Sequence, residues 1–157
     1  MNAIELLTQD HEQVMDLFDQ IEAFDEGSDA GSESGNREQI YKQVSEALSK
    51  HTEIEEKVFY PALEKFDEAR DFIKQAFAEH KQVEQLLAEI DQLPIDDEEF
   101  LDSVGELRDK VEQHVDEEEG EIFSKAQELC GKQQLEAMGI QMEQMKRGKS
   151  AQATKPK

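Results

Sequence analysis

The chain has 157 residues and a formal net charge of -22 at pH 7, from 39 acidic and 17 basic residues. This length suggests a single domain with one sizeable core. The strong acidity argues against a nucleic acid or an anionic membrane surface as a partner, because both attract clustered lysine and arginine. The single cysteine, Cys130, excludes an intrachain disulfide and a thiolate zinc cluster.

The sequence predicts neither a secretory signal nor a membrane-spanning segment. The first residues have no basic stretch followed by an apolar run, so we expect no secretory signal. No stretch approaches the roughly 20 apolar residues that span a bilayer. Three prolines and eight glycines leave long stretches uninterrupted, which favours helices. We therefore expect a soluble, cytoplasmic, helical protein.

Apolar residues recur every three or four positions in four stretches, and each stretch predicts a helix with one apolar face: 4–21, 40–66, 72–90 and 100–129. A polar connection at 27–35 separates the first two, and Pro61 is expected to kink the second. Pro94 ends the third and Gly131 the fourth. Four such helices with short loops predict an all-α, up-down-up-down four-helix bundle.

The predicted bundle occupies residues 1–130, and residues 131–157 form a separate C-terminal part. One or two amphipathic turns are expected there, with Met138, Met142 and Met145 serving in packing. From Lys146 onward the chain is basic and has no acidic residue, so we expect a disordered tail.

An internal repeat relates the first two helices to the last two. Residues 10–17 align with 79–86, and residues 51–56 align with 114–119. Tyr60 then falls on Phe123. The four histidines of the chain all lie at repeat-equivalent positions, which predicts that they surround a pseudo-twofold axis: His11, His51, His80 and His114.

Acidic residues accompany these histidines on the apolar faces. Three histidines have a glutamate one helical turn later: His51 with Glu55, His80 with Glu84, and His114 with Glu118. Any one such pair is weak evidence in so acidic a chain. Several buried imidazoles and carboxylates together would be costly without a cation, at several kcal/mol for each desolvated charge. The pattern therefore predicts a metal centre.

Imidazole and carboxylate without thiolate suit iron, manganese or zinc. Four histidines and two glutamates are too many for one tetrahedral zinc, but they suit two metals that share two carboxylates. A ferritin-like site would need Glu-x-x-His on two helices. The residues three positions before the histidines exclude it: Thr8, Leu48, Phe77 and Val111.

At this point the sequence resembles the hemerythrin-like family, also called the HHE cation-binding domain. The resemblance covers residues 1 to about 130 and rests on His11, His51-x3-Glu55 with the following KVFYP, His80, and His114-x3-Glu118 with Ile122-Phe123. The LeuGluAlaMetGly turn at 135–139 is similar to the usual ending of the family.

The resemblance implies an oxygen-reactive, non-haem centre of two iron ions. Glu55 and Glu118 would bridge the ions, His11 and His51 would complete one, and His80 and His114 the other. The oxygen carriers of the family have a further histidine where this chain has Glu84. A carboxylate there would favour the ferric state, which points away from reversible oxygen carriage and towards sensing, oxidation or peroxide chemistry. Glu84 is equally well explained as a solvated helix residue.

Three functions remain open from the sequence. The first is a protein that binds or senses oxygen, nitric oxide or peroxide. The second is an enzyme that consumes such an oxidant, with Tyr60 as proton or electron donor, or that aids repair of iron–sulfur centres; plain packing with an outward hydroxyl is the more frequent role of such a tyrosine. The third is a non-redox cation-binding bundle. Aromatic candidates for lining the site are Phe18, Phe59, Phe77 and Phe123.

Overall fold

The computed structural model describes the backbone of residues 1–25 and 30–154 and the side chains of residues 1–23 and 37–148. Six α-helices are found there: α1 Ala3–Asp25, α2 Ala30–Ile54, α3 Tyr60–Glu64, α4 Asp67–Asp91, α5 Glu98–Glu117 and α6 Phe123–Thr154. Two π-helical segments, Glu55–Phe59 and Glu118–Ile122, join α2 to α3 and α5 to α6. The described residues contain no strand, and none of their helices is long and apolar enough to cross a membrane.

These elements form the predicted four-helix bundle with an internal repeat. Its four long members are α1, the α2–α3 unit, α4, and the α5–α6 unit as far as Gly131. Each π-helical segment begins at the glutamate that follows a histidine by one turn, so the two segments lie at equivalent places in the two repeats. Pro61, expected to kink the second helix, is the second residue of α3, which directly follows the first segment.

Local signals in the sequence account for the helix ends. Asn2 and Glu5 form a reciprocal cap at the start of α1, since each side chain accepts the backbone N–H of the other. Asp97 caps α5 by accepting from the N–H of Glu99. The predicted connection at 27–35 is shorter in the structure, because α2 begins at Ala30; residues 26–29 lie outside the described part.

A break at Gly131 divides α6. Its φ of 81° is a left-handed conformation that favours glycine, and the chain then continues as a second helix. We call residues 132–148 the C-terminal helix. It buries Leu135, Met138 and Met142 against the bundle, and it is longer than the one or two turns expected from the sequence. The side chains of the basic tail beyond residue 148 lie outside the described part.

The core consists of two apolar clusters along the bundle axis. One cluster joins the start of α1, the α2–α3 junction and the C-terminal helix. The other lies at the opposite end and includes Phe18, Tyr41 and Phe100. On every long helix, the buried histidine falls between the residues of the two clusters. A buried polar layer therefore separates the two halves of the core.

Candidate metal centre

Each long helix of the bundle contributes one histidine to the polar layer. His11 comes from α1, His51 from α2, His80 from α4 and His114 from α5, and each is at most 7% exposed. Glu55 and Glu118 open the two π-helical segments and are fully buried. We call the His11–His51 side the first half of the centre and the His80–His114 side the second half.

The two buried glutamates each face both halves. Glu55 places Oε2 3.2 Å from Nε2 of His51 and Oε1 3.0 Å from Nε2 of His80. Glu118 places Oε1 3.0 Å from Nε2 of His11 and Oε2 3.7 Å from Nε2 of His114. Each carboxylate thus directs one oxygen to a histidine of the first half and the other oxygen to a histidine of the second half.

The opposite ring nitrogen of every histidine lies within hydrogen-bond distance of a further acidic side chain. The Nδ1–carboxylate distances are 2.8 Å for His11–Glu119, 3.1 Å for His51–Asp10, 2.7 Å for His80–Glu56 and 2.5 Å for His114–Glu79. These four outer carboxylates follow the repeat. An Nδ1–H that donates to a carboxylate leaves the Nε2 lone pair for a metal and fixes the ring orientation.

Tyr60 extends into this layer, contrary to the interpretation that its hydroxyl points outward. The side chain is fully buried, and its hydroxyl lies 2.5 Å from Glu118 and 3.0 Å from Glu55. The same oxygen is 3.3 Å from His80 and 3.4 Å from His114. Tyr60 directly follows the first π-helical segment, a geometry that is frequent at functional sites.

The aromatic residues proposed to line the site do not all reach it. Phe123, the repeat partner of Tyr60, stacks on His11 with ring centroids 5.9 Å apart. Phe59 packs against Phe123, and Phe77 packs against Tyr60. Phe18 lies in the apolar cluster at the far end of the bundle.

Burial and the neighbouring charges shift the pKa values of side chains in the layer. Burial opposes protonation of His51, but the Glu55 carboxylate and the hydrogen bond to Asp10 outweigh it and raise its pKa to about 10. For His114, burial is likewise outweighed by Glu79 and Glu118, which raise its pKa to about 9. Burial and the neighbouring Glu55 raise the pKa of Glu118 above its ordinary value.

The donor set fits metal ions. Four ligand atoms from His11, His51, Glu55 and Glu118 lie within 4.8 Å of one another, and three ligand atoms from Glu55, His80 and His114 form a second group within the same distance. Nε2 of His51 and Oε2 of Glu55 are buried and face each other, yet neither makes a hydrogen bond. Buried polar atoms without a partner are costly, and a cation between them would satisfy both.

The structure thus brings together six of the seven residues singled out from the sequence as ligands. Glu84 is not among them: its side chain is exposed on α4 and lines a surface pocket with Glu56. The sequence interpretation missed the four outer carboxylates, and it offered Tyr60 as a donor but favoured packing with an outward hydroxyl, whereas the hydroxyl points inward. The repeat carried the signal for the carboxylates, since Asp10 aligns with Glu79 and Glu56 with Glu119.

Known proteins resemble this chain over most of its length. The family model of the hemerythrin HHE cation binding domain matches residues 2–126. A DNA nickase from Nostoc sp. strain PCC 7120 is 28% identical over 136 residues, which cover 87% of this chain but only 36% of the nickase. This chain therefore spans little more than a third of the length of that curated relative.

A solved structure supports the same relationship. The crystal structure of a hemerythrin HHE cation binding domain-containing protein from Mycobacterium kansasii superposes with a TM-score of 0.80. It is 26% identical in sequence, and the match covers 99% of this chain and 91% of that one. Because the family model spans most of the chain and the buried His/Glu layer can hold cations, this protein belongs to the hemerythrin HHE cation-binding domain family.

Proposed function

We propose that this protein binds two iron ions in the buried layer, one in each half, and that the loaded centre binds or senses oxygen or a related small oxidant, such as nitric oxide or peroxide. The observation that carries the proposal is that Glu55 and Glu118 each direct one oxygen to each half. Imidazole and carboxylate donors without thiolate suit iron. Two bound iron ions supply two electrons to one small oxidant.

The residues of the chain have distinct roles in this proposal. Glu55 and Glu118 would contribute an oxygen to the ligand set of each half, and the histidine pairs would complete the two sets: His11 with His51, and His80 with His114. The outer carboxylates hold the Nδ1 protons and keep each ring aimed at its ion. The apolar clusters on both sides restrict water, which strengthens every electrostatic interaction within the layer.

A second candidate is turnover of the oxidant, and the position of Tyr60 favours it. Its hydroxyl is buried beside His80, Glu55 and Glu118, where it can donate a proton to a small molecule bound in the second half. Burial and the two carboxylates raise the pKa of Tyr60, so the hydroxyl keeps its proton at neutral pH. Reduction of peroxide to water consumes two electrons and two protons, and Tyr60 is a donor for one of the protons.

Nicking of DNA is not part of the proposal, although one relative bears that name. A net charge of -22 repels phosphate groups, and the match covers 36% of that longer protein.

Anaerobic reconstitution with ferrous iron tests the function. We expect two iron ions per chain, and new near-ultraviolet and visible absorption on exposure to oxygen. Reversal of these bands on degassing would indicate binding or sensing, whereas lasting bands with consumption of added peroxide would indicate turnover. Substoichiometric iron without new bands would refute the proposal and leave a cation-binding bundle without redox chemistry.

A further inference from the structure

Among the described side chains, an ion pair connects the C-terminal helix to the buried polar layer. The ammonium group of Lys146 pairs with Oδ1 of Asp10. The other oxygen of this carboxylate, Oδ2, lies 3.1 Å from Nδ1 of His51. Asp10 is only 7% exposed. A lysine far along the chain thus holds the carboxylate that orients a histidine of the first half.

The second half has no such lysine among the described residues. Glu79 is the repeat partner of Asp10 and orients His114 in the same way. Its side chain is 20% exposed, and Gln75 of the same helix donates to it at 3.0 Å. The lysine contact is therefore an addition to one half and not a general requirement for orienting these histidines.

Gly139 allows the C-terminal helix to approach closely enough for this contact. A Cβ at this position would lie 2.8 and 2.9 Å from the carbonyl carbon and Cα of Asn2, and closer still to the carbonyl oxygen of Met1. Any side chain would therefore displace the helix from the start of α1. Leu135, Met138 and Met142 are buried at the same interface.

A surface pocket of about 350 Å³ lies beside Asp10 and is also lined by Lys50, His51 and Lys146. The Asp10 carboxylate has space to rotate into this pocket. Without the ammonium group, the carboxylate can turn into this pocket to regain water, since a buried charge with one remaining hydrogen bond is unfavourable. Such a turn would release Nδ1 of His51 and free the ring to rotate.

We propose that Lys146 is a positioning residue for the first half of the centre, and that packing of the C-terminal helix and metal binding at His51 are coupled through the Lys146–Asp10–His51 chain. The proposal rests on the proposed metal binding. Coupling of this kind is reciprocal: if the packed helix raises metal affinity by some factor, the bound metal stabilises the packed helix by the same factor.

Ferrous iron affinity of the full chain, measured anaerobically against a competing chelator, tests the positioning role. Loss of an outer partner of a metal-bound histidine typically costs 10–100-fold, and for Lys146→Met we expect about tenfold weaker binding of one of the two ions. Lys146→Arg keeps the positive charge and should retain most of the iron affinity of the unmodified chain. Lys50→Met removes the same charge from the same pocket, where Lys50 pairs with Glu53, and should change little.

Hydrogen exchange of residues 132–148 tests the reciprocal effect. In the unmodified chain we expect iron to slow exchange of these amides by about the same tenfold factor. Gly139→Ala should weaken both the protection and the iron affinity, whereas Gly148→Ala should not, because a Cβ at Gly148 meets no atom within 4 Å. If packing of the C-terminal helix served folding alone, these amides would exchange at the same rate with and without iron.

The outcomes separate this inference from the proposed function. Failure of the unmodified chain to bind iron would refute the proposed function itself. Two tightly bound ions with identical affinities in the unmodified chain and Lys146→Met would refute only the inference. Tighter binding in Lys146→Met would also overturn it, because Lys146 would then act as a competing cation.

Discussion

The two halves of the centre have the same frame. Each half contains two buried histidines whose Nε2 atoms face Glu55 and Glu118 and whose Nδ1 atoms face outer carboxylates. Each repeat also supplies one π-helical segment that begins with a buried glutamate. The two repeats of the helix pair thus supply a symmetric set of donors.

The residues outside this frame make the halves different. Tyr60 places a hydroxyl in the second half, whereas its partner Phe123 stacks an apolar ring on His11 in the first half. Lys146 holds the outer carboxylate Asp10, whereas Glu79 is held by Gln75. The comparison indicates that the repeat positions the donors, and that unrepeated residues determine the polarity and rigidity of each half.

Removal of a shared carboxylate should have the largest effect. Glu55 belongs to both candidate groups, so Glu55→Gln should weaken binding of both ferrous ions by more than about 100-fold, beyond the usual cost of losing an outer partner. Glu84→Gln is the matched control, because Glu84 is exposed and lies outside both groups. The number of iron ions that each variant retains after anaerobic loading tests this prediction.

Two results would contradict the view that both halves share Glu55 and that Glu84 lies outside the centre. If Glu84→Gln lost iron as Glu55→Gln does, the exposed position of Glu84 would not describe the loaded protein. If Glu55→Gln lost only one ion, Glu55 would serve one half and would not be shared.

Much of this centre could be predicted from the sequence because its donors obey helical spacing and repeat. His51 and Glu55 are one turn apart, and the alignment of the repeats extends the same geometry to His114 and Glu118. Glu84 has the same spacing from His80, but α4 continues as a regular helix there, so this glutamate faces solvent. Spacing alone could not distinguish the two cases.

The fold could also be predicted from regular spacing. The structure differs from the prediction in two local features, the π-helical segments and the length of the C-terminal helix. Apolar periodicity identified the four helices, since each must bury one face. The π-helical segments carry no such signal, yet Tyr60 directly follows the first of them and points into the buried layer. The length of the C-terminal helix was underestimated because its apolar residues are few and its contact with α1 depends on Gly139, a residue that ordinarily ends helices.

Exchange of Tyr60 and Phe123 should have an intermediate effect, which is measured as a change in the free energy of unfolding. Tyr60→Phe removes a hydroxyl that donates to buried Glu118, which should lower the free energy of unfolding of the metal-free protein by about 1–3 kcal/mol. Adding Phe123→Tyr to this variant restores a hydroxyl at the equivalent place in the first half. If the halves share one frame, the double variant should recover more than half of the loss in urea unfolding.

The control for this exchange is Phe123→Tyr alone. It adds a second hydroxyl to a centre that already contains one, so we expect no gain in stability over the unmodified chain. A double variant no more stable than Tyr60→Phe would show that the pseudo-twofold relation between Tyr60 and Phe123 does not extend to their para positions.

The smallest effect is expected at Gln75, the counterpart of Lys146 in the second half. Gln75 is exposed, and its amide shares its donors between Glu79 at 3.0 Å and Glu117 at 3.4 Å. Because Glu79 is already partly solvated, water can replace this neutral donor, and Gln75→Met should change ferrous iron affinity by less than about twofold. Comparison with Lys146→Met under the same chelator competition tests whether only the first half depends on such a contact. Equal losses in the two variants would mean that both outer carboxylates need their partners, and that the charge of Lys146 contributes nothing beyond a hydrogen bond.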